Sequence, residues 1–148
     1  MKPTIRKAFA YITHSNRLLI FSHPLEPSAG LQVPAGTMLD GEAPDDAVLR
    51  EAIEETALPD LRVVRFLGEV RRDRADVGHD EIHHRHFFHL VCDSEPPERW
   101  QNYEPDPSDG SEPPLFELWW VPLPDGVPEL IAGHGDMLPA LFEAMSLA

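Results

Sequence analysis

The sequence predicts an α/β sandwich, and three observations carry that expectation. Short apolar runs of strand length recur along the chain. A helical period takes over across residues 44–58, and a second apolar stripe at Leu138, Leu141, Phe142 and Met145 has the i, i+3, i+4, i+7 spacing of one helix face. With 148 residues the chain has room for one domain with a proper core, expected to span residues 1–148.

Residues 8–12 and 18–21 are apolar runs separated by Thr13, His14, Ser15, Asn16 and Arg17, the pattern of a hairpin and its loop. Pro24, Pro27, Gly30, Pro34 and Gly36 then break the pattern, leaving at most a short strand around residues 31–33. Pro44 suits a first helical turn, Asp45 and Asp46 favour its positive end, and Pro59 stops continuation. Residues 62–70, 82–92 and 115–121 read as strands. Residues 93–114 carry six prolines among acidic residues and read as a long loop, which in a compact domain is usually functional or disordered. Asp136 is placed to cap the last helix.

Charge removes some function classes. Twelve Lys and Arg against 26 Asp and Glu leave a net charge of −14, which repels a phosphate backbone, so no nucleic-acid partner is expected. No run approaches the ~20 apolar residues of a membrane span, so no membrane partner is expected either. Cys92 is the single cysteine and reads as a small buried hydrophobe. Lacking an intramolecular disulfide, the chain suits a reducing compartment, and a cytoplasmic location is expected. A homodimer stays open.

The chemistry concentrates on the helix. On a wheel at ~100° per residue, Glu51, Glu54 and Glu55 share one arc, while Val48, Leu49, Ala52, Ile53 and Thr56 fill the opposite side. Like charges at these spacings repel, and Glu54 and Glu55 also meet the negative end of the helix dipole. Local stability alone would not choose this arrangement, and removing one carboxylate is expected to stabilise the metal-free protein. A hard divalent cation would reverse both penalties. Taken alone, the hexapeptide from Arg50 to Glu55 also reads as a solvated helix face with Arg50 paired to Glu54.

The upstream residues change that reading. Gly36, five residues, Glu42, seven residues and then Arg50-Glu51-Ala52-Ile53-Glu54-Glu55-Thr56-Ala57-Leu58 resemble the signature of the Nudix hydrolases. Chance recurrence of its six fixed residues is on the order of 10⁻⁶ for such a chain. One position departs: Ala57 replaces the signature's last glycine, and the helix is expected to run on to the proline instead of ending in a left-handed residue.

The resemblance implies a Nudix-like α/β/α sandwich with a mixed sheet, and hydrolysis of a nucleoside diphosphate-linked or related small-molecule pyrophosphate by water attack on phosphorus. It implies Mg²⁺, with Mn²⁺ as an alternative, held by Glu51, Glu54, Glu55 and the Gly36 carbonyl. Glu51 would be a ligand or the base, Arg50 would orient the glutamates, and Glu42 would support the loops. Nudix enzymes often bring a further glutamate from the loop before the last strand, which makes Glu112 a candidate base or extra ligand. Neutralising phosphoryl oxygens and activating water is what opening a phosphoanhydride requires. The alternative is a catalytically silent Nudix-fold domain that senses nucleotides or binds a partner; the intact glutamates argue against it.

Other residues stay open between two readings. Arg71, Arg72, Arg74 and Arg85 are candidates to clamp substrate phosphates, against a solvated turn. Trp100 and Tyr103 could stack on a base, against pinning their loop to the domain. Within a strand His84 and His86 face one side and His83 and His89 the other, so they form no single compact site. Structural or substrate-lining roles are favoured for these histidines over a transition-metal site. Residues 18–23 do not resemble the coenzyme A pyrophosphatase motif, nor residues 95–98 the NADH pyrophosphatase motif. Markers of the ADP-ribose and diadenosine polyphosphate hydrolases just past the box are absent, so no particular substrate is implied.

Overall fold

The computed structural model describes residues 2–103 and 114–147. Among the described residues seven strands form one mixed sheet: β1 (Thr4–His14), β2 (Arg17–Ser22), β3 (Ala35–Thr37), β4 (Leu61–Asp73), β5 (Ile82–Cys92), β6 (Arg99–Tyr103) and β7 (Leu115–Pro122). The order is β4-β5-β1-β2-β7-β6, with β3 also paired to β1. Only β1 and β5 run parallel; the other pairs are antiparallel. The hairpin β1–β2 is joined at just two register pairs, Thr13 with Leu18 and His14 with Arg17. Earlier along β1, β3 takes the vacated edge, pairing Ala35 with Phe9 and Thr37 with Lys7. That split delivers the loop after β3 to the helix that follows.

Strand alternation divides the core into two layers. Ala8, Ala10, Ile12, Phe88, Leu90 and Leu118 pack under α1 (Pro44–Thr56), against its Ala47, Val48 and Ala52. Phe9, Tyr11, Leu18, Ile20 and Phe87 pack under α2 (Leu138–Ala144), around the buried Leu141. This is the expected sandwich, with a helix on each face of a mixed sheet. No helix among the described residues is long and apolar enough to cross a membrane.

Several local expectations are corrected. The short strand lies at Ala35–Thr37, not at residues 31–33, because Pro34 has no N–H to give; Gln32 makes only an isolated bridge to Phe21. Part of the expected loop is strand β6, paired to β7 from Arg99 to Tyr103. Asp136 does not cap the last helix; Met137 precedes it with no side-chain cap. The first helix does not run on to Pro59. It ends at Thr56, and Ala57 adopts φ 59°, ψ 17°, its N–H returning to the Ile53 carbonyl. Leu58 precedes a proline and is disfavoured in helical conformation, so the chain must turn just before it, glycine or not. Ile53, placed on the core side by the wheel, is 47% exposed, whereas Glu55 on the carboxylate side is 6% exposed.

Candidate active site

The loop after β3 and one face of α1 build an ordered set of carboxylates. The Arg50 guanidinium is the hub: Nε and Nη2 each donate to the Glu42 carboxylate at 2.9 Å, and Nη1 donates to Glu51 Oε1 at 2.8 Å. Glu54 lies 3.6 Å from the same Nη1, so the i, i+4 pair is the looser part of a larger network. Glu42 also accepts the Leu39 N–H at 3.0 Å, which ties the loop to its own carboxylate. The Arg50 hydrogen bonds hold Glu42 down at about 2. Burial pushes Glu51 up, against the pull of Arg50 in the other direction. Glu55 turns inward and accepts the Ala35 N–H at 2.9 Å. The repulsion expected from the helix wheel is therefore offset in the protein itself, by one guanidinium and one backbone donor.

Gly36 has a packing reason. A Cβ there would overlap the Glu51 carboxylate, so only glycine lets this glutamate lie against β3. As a donor set, three carboxylates on one helix face above a glycine cradle suit a hard, oxygen-seeking cation. Their oxygens are not gathered to a single point: Glu51 and Glu54 are drawn toward Arg50, and Glu55 toward Ala35.

Beyond Ala35 the opposite sheet face opens a cavity of about 320 Å³, lined among others by Lys7, Arg74, His83, Arg85 and His134. Lys7 and Arg85 are register partners on β1 and β5, so both side chains leave the same face. Arg85 is 1% exposed; it lies 4.8 Å over the Phe9 ring and donates to the Ala132 carbonyl. Burial first, then Arg74 and Arg72, bring the Arg85 guanidinium down to about 10. Burial followed by Arg74, Arg85 and Lys7 lowers His83 to about 4, and burial followed by Arg85, Lys7 and Arg74 lowers His134 to about 3. His134 Nδ1 accepts the Val33 N–H at 3.1 Å, which leaves the neutral ring's proton on Nε2. Lys7 is pushed down by burial and partly restored by Glu55 and Glu51. The cavity is thus a concentration of positive charge beside the glutamates, within a chain of net charge −14.

The candidate residues fall into separate places. Gly36, Arg50, Glu51, Glu54 and Glu55 come together. Arg85 lines the cationic cavity; Arg72 pairs with Asp76 and, with Arg85, crowds Gly133. Arg71 is in register with His84 and leaves the other sheet face, so it is not brought to Arg85. Trp100 packs against the α1-side core and donates to the Thr56 carbonyl at 2.9 Å, which pins its strand to the domain. Tyr103 ends β6 at 60% exposure. Glu112 lies outside the described residues. Lys7 and His134 line the cavity without a local signal in the sequence: register with Arg85 places Lys7, and the packing of the segment before α2 places His134, while His83 is one of the strand histidines favoured for a structural or substrate-lining role.

Comparison with known proteins accounts for the fold. The NUDIX domain family model matches residues 3–141, and the chain belongs to that family. A UDP-X diphosphatase superposes with a TM-score of 0.69 at 15% identity, covering 99% of this chain and 64% of the other, so this chain spans just under two thirds of that protein's length. A MutT NUDIX hydrolase from Burkholderia pseudomallei matches at 0.62 and 20% identity, over 95% of this chain and 99% of that one. An ADP-ribose pyrophosphatase from Streptococcus suis 89-1591 matches at 0.60 and 16%, over 95% and 91%. At these identities the likeness is one of fold.

Proposed function

We propose that this chain, as a single Nudix domain over residues 1–148, is a divalent-metal-dependent hydrolase of a nucleoside diphosphate-linked or related pyrophosphate. The observation that carries the reading is adjacency. Ala35 gives its N–H to Glu55 and also lines the cationic cavity, and Lys7 in that cavity senses both Glu55 and Glu51. A substrate with several negative charges can lie across this boundary, with its phosphates at the carboxylate side. Lys7, Arg74 and Arg85 would neutralise phosphoryl oxygens, and His134 Nε2–H would donate to a polar group deeper in the cavity.

Glu51, Glu54 and Glu55, with the Gly36 carbonyl, would hold Mg²⁺ or Mn²⁺. When bound, the metal supplies charge neutralisation and an acidified water. Arg50 positions Glu51 and Glu54. Glu51, raised by burial, is the candidate proton acceptor on the helix, with Glu112 the competing candidate. The named functions of the similar proteins, a UDP-X diphosphatase and an ADP-ribose pyrophosphatase, support phosphoanhydride chemistry in general.

The test is a panel of nucleotide pyrophosphates incubated with Mg²⁺, with products resolved by mass spectrometry. Wild type should cleave at least one, and Glu54→Gln and Glu55→Gln should each lower kcat by several orders of magnitude while leaving the fold intact. Near-wild-type turnover by both variants would remove the metal assignment. Binding without cleavage across the panel would move the chain to the sensing class.

A further inference from the structure

A second cluster of ligating side chains lies on the α1 side of the sheet, away from the cationic cavity. His84 and His86 alternate onto that face of β5, and Glu69 of β4 is the register partner of His86. A bulge between Phe66 and Gly68 makes that pairing. In a regular ladder continued from the Phe66–Phe88 pair, Gly68 would stand opposite His86, and Glu69 would project to the other face. We propose that Glu69, His84 and His86 form a second metal centre, a two-histidine, one-carboxylate site for a borderline transition-metal ion such as Zn²⁺, distinct from the box glutamates.

The geometry is that of a ligand set. One ligand atom from each residue lies within 4.8 Å of the other two. His84 Nε2 is 3.3 Å and His86 Nε2 3.7 Å from the Glu69 carboxylate oxygens. A tetrahedral ion with ligands at ~2.0–2.2 Å has edges of about 3.3–3.6 Å, which the two histidine–carboxylate distances match, while the two histidines, within 4.8 Å of each other, close by up to about 1 Å on binding. Hydrogen bonding leaves the His84 side unaccounted for: its Nε2, the atom facing Glu69, is buried without a hydrogen-bond partner, and His86 beside it is 8% exposed. Orphaned buried ring nitrogens are costly unless something else satisfies them.

Donor type sets the selectivity. Two imidazoles favour Zn²⁺, Co²⁺ or Ni²⁺, whereas Mg²⁺ prefers the oxygen-only box. Ala8 separates the two sites, with His86 as its partner on β5 and Gly36 on β3, so they stand about two strand spacings, ~10 Å, apart on one face. An ion here would staple the bulged edge strand β4 to β5. Three protein ligands leave at least one position open, on the side where Glu69 and His86 line a cavity with Asp45, Phe66 and Phe88.

The experiment is equilibrium dialysis of the full chain against Zn²⁺ in a large excess of Mg²⁺, with metal analysis, and thermal unfolding with and without Zn²⁺. We expect one Zn²⁺ retained per chain and a Zn²⁺-dependent rise in Tm. His84→Ala and His86→Ala should weaken retention at least tenfold. The exposed Glu69→Gln, which leaves the core untouched, should abolish the Tm rise while the metal-free Tm stays put. Glu54→Gln and Glu55→Gln should leave retention unchanged. Failure to retain Zn²⁺ in Mg²⁺, retention undiminished by Glu69→Gln and His86→Ala, or loss only on Glu55→Gln would each overturn the site. Because the readout is binding, its failure is separate from any failure of the hydrolase reading.

Discussion

At Gly36 and Glu51 a single missing side chain decides where a carboxylate can stand. In Gly36→Ala the new Cβ must displace the Glu51 carboxylate, and a displacement of about 1 Å is expected to cost ~10²-fold in kcat. Steady-state kinetics on a protein with an unchanged circular dichroism spectrum would check this. Ala57 presents the opposite case, a residue with a Cβ held at φ 59°. Ala57→Gly should raise stability by about 0.5–1 kcal/mol, the left-handed penalty less the extra unfolded-state entropy of glycine, or ~2 °C in Tm. Glu55 bears on the expected repulsion. Glu55→Ala leaves the Ala35 N–H without its acceptor and should lower metal-free stability by about 1–3 kcal/mol, measured by urea unfolding in chelator. A stabilised variant would restore repulsion as the dominant effect.

Strand β6 shows what an element can do for the element beside it. Helix α1 ends with carbonyls that have no partner within the helix, at the end where Glu54 and Glu55 sit. Asn102 Nδ2 donates to the Glu55 carbonyl at 2.8 Å and the Glu54 carbonyl at 3.2 Å, while Trp100 Nε1 takes the Thr56 carbonyl. Three donor contacts from one strand face thus soften the negative end of the helix that carries the acidic residues. Asn102→Ala should cost about 0.5–1.5 kcal/mol in thermal unfolding and loosen the last helical turn, visible as faster amide exchange at Ala57. Little of this was legible beforehand, because Arg99-Trp100-Gln101-Asn102-Tyr103 has no apolar alternation and lies among prolines. The strand exists because β7 offers an edge to it. The carboxylate helix, by contrast, was legible to within two residues, since its start, stop and spacing are all local.

Over the whole molecule, the acidic surface and the cationic cavity are compatible because the cations are drawn into the α2 side of the sheet, Arg85 buried and Lys7 and Arg74 half-buried. His134 belongs to that buried set, and its lowered pKa makes stability depend on pH. From about pH 6.5 down to about 3 the unfolded chain binds a proton at this ring that the native protein does not. Unfolding stability therefore rises with pH in this window, and His134's contribution is fully present above ~6.5 and lost progressively on acidification. Between pH 6.5 and 5 this amounts to roughly 2 kcal/mol. His134→Gln, which can still accept the Val33 N–H, should flatten that part of the urea midpoint's pH profile by a comparable amount. An unchanged slope would assign the acid sensitivity to other groups.

The sequence by itself determined the sandwich, the start of the central helix and its end to within two residues, and the carboxylates it carries, because periodicity, proline punctuation and signature spacing are properties of one stretch of chain. Only the tertiary structure decided what surrounds them. Lys7 from β1, Arg85 from β5 and His134 from the segment before α2 converge through strand register and crossover packing. Glu69 reaches His84 and His86 through a bulge, and the helix end is closed by a strand some 44–48 residues away. These contacts join residues far apart in the chain, where a one-residue change of register turns a side chain to the opposite face.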